Sequence, residues 1–303
     1  MFSFSALLRT SFLSSTILCS LVSTAFAAVQ TLDNEQVAKL MAEDSTYATA
    51  SSIDNSRTAA EMMLDLLKQG RITQGLLSVF TNNPQQQAAI AHTVEQLCSN
   101  EAYTADIIQH LPVFELNKDL PVADVMLKIG QAMGERTIAL AADGIMRLND
   151  EERQQLFKAL GNTLGNMRDQ DCVLLFGEDG SSSDKVKAVF ANLTTPDLQT
   201  LLQITSNAID YQLSGTHEQM RLTGKEEQQA TLELMQVLAL WSLSEPENGM
   251  LLLSMLKDGV QRTNEKQLIG LCHAAGSLLL HSADLPGQHG VRVRQAIFAQ
   301  LQR

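Results

Sequence analysis

Aromatic side chains are scarce in this chain: one Trp, three Tyr and ten Phe among 303 residues. Four of the Phe fall within residues 1–27. Carbohydrate modules stack sugar rings on exposed Trp and Tyr, so a sugar-binding groove is disfavoured. Trp241 sits in an apolar run and reads as a core residue. Basic clusters are missing too, and a formal charge of −12 repels both phosphate backbones and anionic lipid surfaces. A nucleic-acid partner is therefore not expected. No run after residue 27 is apolar and uncharged for the roughly 18–20 residues a spanning helix needs. The best, Leu232 to Leu243, is short and interrupted by Glu233 and Gln236. Phosphate-loop, nucleophile-elbow and dinucleotide fingerprints are all lacking, since Gly224-Lys225-Glu226 has neither the upstream glycine nor the hydroxyl.

What is present begins with a three-part export pattern. Arg9 is the only charge in residues 1–27, a mixed apolar and hydroxyl stretch follows, and Ala25-Phe26-Ala27 precedes Ala28. A signal peptidase cleft accepts this small-x-small sequence, so residues 1–27 are expected to be a cleaved signal peptide. Cys19 does not fit a lipid-attachment site, because Leu18 precedes it where a small residue is needed. Loss of Arg9 takes the charge from −12 to −13, and residues 28–303 are expected to form one soluble helical domain. Such acidity keeps a protein dispersed and permits a cationic partner.

Helical periodicity runs through nearly all of the remainder. Asn83-Pro84 supplies a cap and first-turn proline ahead of Ile90, Val94, Leu97 and Cys98. Leu120-Pro121 opens a helix with Ile129 and Met133 on one face, and Thr195-Pro196 another with Leu198, Leu201, Leu202 and Ile209. Asn149 with Glu152, and Asn264 with Gln267, have capping-box spacing. Residues from about Lys225 to Ser244 are apolar over much of their circumference, which predicts a central buried helix. A shorter helix is expected from Glu247 to Asp258, and a last one carries Val293, Ile297 and Leu301. The expectation is an all-α fold of roughly ten amphipathic helices, in a bundle or an irregular α-solenoid. No fixed repeat period emerges. The polar stretch Gly177 to Asp184 either divides two lobes or is a long surface connection, and one continuous body is favoured.

Three cysteines follow residue 27: Cys98, Cys172 and Cys272. An odd number in an exported chain suggests one bridge and one leftover thiol. Cys272 lies on an apolar helix stripe and reads as the buried spare, which leaves Cys98–Cys172 as the preferred bridge; the alternative is three buried thiols. Cys272 and His273 are adjacent, but neighbouring helical residues point about 100° apart, so they do not form a catalytic pair by themselves. His273, His281 and His289 match no usual metal spacing. The acidic residues Asp169, Asp171, Glu178, Asp179 and Asp184 invite a calcium reading. Their register does not fit an EF-hand, because Cys172 to Phe176 intrudes, and a solvated loop is the better account. Asn192-Leu193-Thr194 fits a glycosylation acceptor, meaningful only in a eukaryotic secretory pathway.

No catalytic constellation and no cofactor motif stand out. The leading expectation is a non-enzymatic periplasmic or secreted protein that binds a protein partner through a helical surface. The alternatives are an exported hydrolase with carboxylates on helices, or a secreted effector or toxin-neutralising protein. An exposed apolar patch favours the first, and a pocket of perturbed carboxylates or histidines favours the hydrolase.

Overall fold

A computed structural model describes residues 61, 64, 65, 67, 68, 81–111, 122–177, 181–251 and 264–301. The expected leader lies outside the described residues, as do Glu178, Asp179 and most of the helix expected over Glu247 to Asp258. The described residues are all-α, with no strand among them. Ten α-helices have defined ends, beside a 3-10 turn at Ile145–Arg147 and a short helical run at 246–251. In chain order they are α1 (Pro84–Ser99), α2 (Glu101–His110), α3 (Val122–Gly144), α4 (Asp150–Gly165), α5 (Asp169–Phe176), α6 (Ser182–Asn192), α7 (Thr195–Ser214), α8 (Gly224–Ser244), α9 (Glu265–Asp284) and α10 (Gly287–Leu301).

By packing, these helices fall into two compact units. One takes Met146–Ile204 and His217–Arg303; the other takes the described residues up to Ile145 together with Thr205–Thr216. The Gly177 to Asp184 stretch, offered above as a lobe boundary, has both described ends inside the first unit. There Lys185 Nζ donates to the Gly177 carbonyl at 2.8 Å and ties the two ends together.

The α1–α3 unit is organised around shared caps and one buried hydroxyl chain. Asn83 caps α1 by accepting from Gln85 N–H, with Pro84 in the first turn as its missing donor allows. Asn100 ends α1 and starts α2, accepting from the Ala102 and Tyr103 amides while its own amide donates to Asp210 of α7 at 2.9 Å. Ile90, Val94, Leu97 and Cys98 are buried, as the stripe predicts. Tyr103 and Thr137 hydroxyls meet at 2.6 Å, and Thr137 also donates to the Met133 carbonyl, so neither polar atom is stranded in the core. Arg136 grips Asp106 through two bonds of 2.7 Å, pinning α3 to α2.

In the other unit, α4 and α9 run antiparallel. Gln154 donates to the Ala283 carbonyl near one end, and His273 meets the Gly165 carbonyl near the other. Glycines permit this closeness. A Cβ on Gly276 would stand 2.4 Å from the Gly165 nitrogen and 2.9 Å from the Gly161 oxygen. Both predicted capping boxes form, at Asn149/Glu152 and Asn264/Gln267. Arg294, almost fully buried, holds Asp150 at 2.5 and 2.9 Å and donates to the carbonyls of Ser282, Ala283 and Leu285. One side chain thus satisfies the orphan carbonyls at the end of α9 and anchors the start of α4.

The disulfide differs from the expectation. Cys172 of α5 is bonded to Cys272 of α9, with Cα atoms 5.7 Å apart, and among the described residues Cys98 is the free, buried cysteine. Cys98–Cys172 is therefore not the bridge. The reason is the α4–α9 crossing. It sets Cys272 against the last turn of α4, and the chain turns at Asn166–Arg168 straight into α5, which carries Cys172. An apolar stripe position is as suitable for a half-cystine as for a thiol. Burial pushes the Cys98 thiol up to about 12, leaving it unreactive at neutral pH.

Candidate functional site

Of the acidic residues singled out in sequence, the three that are described, Asp169, Asp171 and Asp184, do not converge on one metal-holding group. Asp169 lies in the first turn of α5, exposed, 3.6 Å from the His273 imidazole. Asp171 is 7% exposed and accepts from Arg168 Nε at 2.7 Å and from the Asn192 amide at 2.8 Å. Asp184 belongs to the next helix, where it forms a capping box with Ser181, and those bonds hold its carboxyl below the usual range. Glu178 and Asp179 lie outside the described residues. Each described carboxylate thus has a local structural partner, and no group of three metal-ligating side chains forms among the described residues. Asn192 is similarly engaged: its amide donates to Asp171 and to the Ala188 carbonyl, and its oxygen accepts from Arg168 N–H.

The histidines also part company. His273 Nδ1 donates to the Gly165 carbonyl, whereas His289 Nδ1 donates to Glu233 at 3.0 Å. Arg292 adds a 2.7 Å bond to the same carboxylate, and Gln229 a third at 3.1 Å. Arg292 foremost, with these neighbours, keeps the Glu233 carboxyl below the ordinary glutamate range. The cluster fastens α8 to α10.

Helix α8 carries the feature that does stand out. Glu226 accepts from both the backbone and hydroxyl of Thr223, fixing the start of the helix. Ala230, Leu234, Val237 and Trp241 are buried at helical spacing, and Trp241 Nε1 donates to Ser277 of α9 at 3.2 Å. Ser277 in turn donates to Glu245 at 2.6 Å. The indole is core, as its surroundings in sequence imply.

The opposite face is a correction to the reading of α8 as a buried central helix. Leu232, Met235, Leu240 and Leu243 are 54 to 79% exposed, and Met250 just beyond is 73% exposed. These five are the exposed large hydrophobics among the described residues. Apolar side chains all round a helix signal burial only when neighbours pack on every side, and α8 has its packed partners, α9 and α10, on one side. The sequence signal was the near absence of charge between Gln228 and Ser244, where Glu233 stands alone. That signal was legible, but its cause was not.

No described helix is long and apolar enough to cross a membrane. No protein-family description, no curated protein and no solved structure matches the chain.

Proposed function

We propose that this chain is exported after cleavage behind Ala27 and acts, without catalysis, by binding another protein on the outer face of α8. The observation that carries this reading is the clustering of every exposed large hydrophobic side chain among the described residues on α8 and the run after it. Scattered surface leucines are ordinary, whereas large apolar side chains gathered on one helix face, here interrupted by the exposed Gln236, cost solubility and are characteristic of interaction surfaces. Export is supported by the leader pattern and by a buried disulfide, which persists best in an oxidising compartment. The described carboxylates singled out in sequence are committed to caps, ion pairs and core bonds, so the hydrolase alternative gains nothing from them.

The test is site-specific photo-crosslinking in the native exterior compartment, with the photoreactive group at Leu243 or, as control, at exposed Glu151. A stoichiometric adduct from position 243 alone, lost in the Leu232→Asp variant, is the expected result. Leu232→Asp should leave thermal unfolding within about 0.5 kcal/mol of the parent, since the side chain is largely exposed. Equal labelling from both positions, or recovery of the unmodified chain with hydrolytic activity, overturns the reading.

A further inference from the structure

We propose that Met235, with Met250 beyond the end of α8, is a redox modification site: oxidation of the exposed thioether to the sulfoxide by a hydroperoxide switches off binding at the α8 face. The inference rests on the binding role proposed for this face and concerns its regulation. Sulfur in this chain is sorted by burial. Among the described residues, Cys172 and Cys272 are joined and 0% exposed, and Cys98 is equally buried, its thiol pushed up to about 12. Cysteine oxidation proceeds through an accessible thiolate, so none of the three answers an oxidant in the folded chain. Met133, Met146 and Met167 are at most 2% exposed, and Met220 is half-buried. Met235 and Met250 stand at 54 and 73%. A peroxide in solution meets these two thioethers first.

Position turns the lesion into a switch. At about 100° per residue, Met235 lies about 60° round α8 from Leu232, on the outward side with Leu240 and Leu243. Val237 and Trp241 point to the packed side. An unbranched thioether adapts well to an incoming surface, and on this face it is also the group that an oxidant converts. In the step, a sulfur lone pair attacks the outer oxygen of the hydroperoxide. The S–O bond forms as the O–O bond breaks, sulfur is oxidised by two electrons, and the reduced peroxide takes the proton and leaves as water or an alcohol. The product carries a polar, chiral S=O where an apolar contact stood. On the free chain water satisfies that oxygen, so the fold is indifferent to it. Buried against an apolar partner it lacks a donor and opposes association. Leu232, Leu240 and Leu243 undergo no such reaction, which confines the response to the methionines.

The experiment treats the purified chain from Ala28, carrying the photoreactive group at position 243, with hydrogen peroxide. The peroxide is removed before the chain returns to the exterior fraction. Peptide mass mapping should find Met235 and Met250 oxidised ahead of Met133, Met146 and Met167. The unfolding midpoint should not move, while the chain concentration needed for the position-243 adduct should rise at least about tenfold. A chain with Met235→Leu and Met250→Leu keeps the apolar bulk, and peroxide should leave its adduct intact. Early oxidation of the buried methionines overturns the site. An adduct unchanged in the oxidised parent, lost equally in the double variant, or lost together with a lowered midpoint overturns the switch. In each of these results the untreated parent still gives its adduct, so the binding role stands. An untreated parent that gives none removes the binding role, and the switch falls with it.

Discussion

Asp210 sits where α7 meets the cap between α1 and α2, accepting from the Asn100 amide. Desolvation raises its carboxyl above the usual aspartate value, and the hydrogen bond from Asn100 only partly offsets this. A carboxyl raised in the folded state favours folding at acid pH, and that contribution fades as pH rises through the folded value. Near neutrality the ionised Asp210 is therefore a small burden. Asp210→Asn keeps an acceptor for Asn100 and removes the charge. It should gain stability at pH 7, discounted to about 0.5 kcal/mol for solvent screening, and the gain should vanish toward pH 3. Thermal unfolding of both proteins across this range checks it, and a gain that grows on acidification reverses the assigned sign. Asn100 itself was not singled out in sequence. One Asn closing one helix and opening the next is locally readable, but its bond to a residue so distant in the chain is not.

Among the elements, the α4–α9 pair is the most exacting. Gly276→Ala places its Cβ against the Gly165 backbone, which no side-chain rotation relieves, and should cost about 2–3 kcal/mol. Gly165→Ala meets nothing within 4 Å and should be neutral or slightly stabilising in the same urea titration. Equal effects would mean the helices do not cross where described. The contrast marks what sequence reasoning reaches. Caps at Asn83, Asn149 and Asn264 were legible because the cap side chain and the backbone N–H that donates to it lie within three residues of each other. The extent of α8, read from about Lys225 to Ser244, was legible too, though the Thr223–Glu226 capping box that starts it was not singled out in sequence. Which face of α8 packs was not, since that depends on α9 and α10, both later in the chain and approaching from one side. The crossing at Gly276 was invisible as well, because nothing in a helical glycine tells whether another backbone lies against it.

For the molecule as a whole, the Cys172–Cys272 bridge closes a span of 100 residues. Its loss through Cys272→Ser should cost about 3–5 kcal/mol on chain-entropy grounds, read as a lowered urea midpoint that reductant produces equally in the parent. Denatured without reductant, the chain from Ala28 should take one thiol label, at Cys98, and three after reduction. Three labels before reduction refute the bridge, and a single label at Cys272 restores the Cys98 pairing. The pairing also carries a history. Under the proposed export, amino end first, Cys98 emerges and Cys172 follows 74 residues later, while Cys272 is still a hundred residues behind. An oxidant that joins cysteines in order of arrival would make the wrong bond first. Burying Cys98 within α1 withdraws it from that contest once the first helices pack, so early folding at one end of the chain safeguards the covalent fidelity of the other.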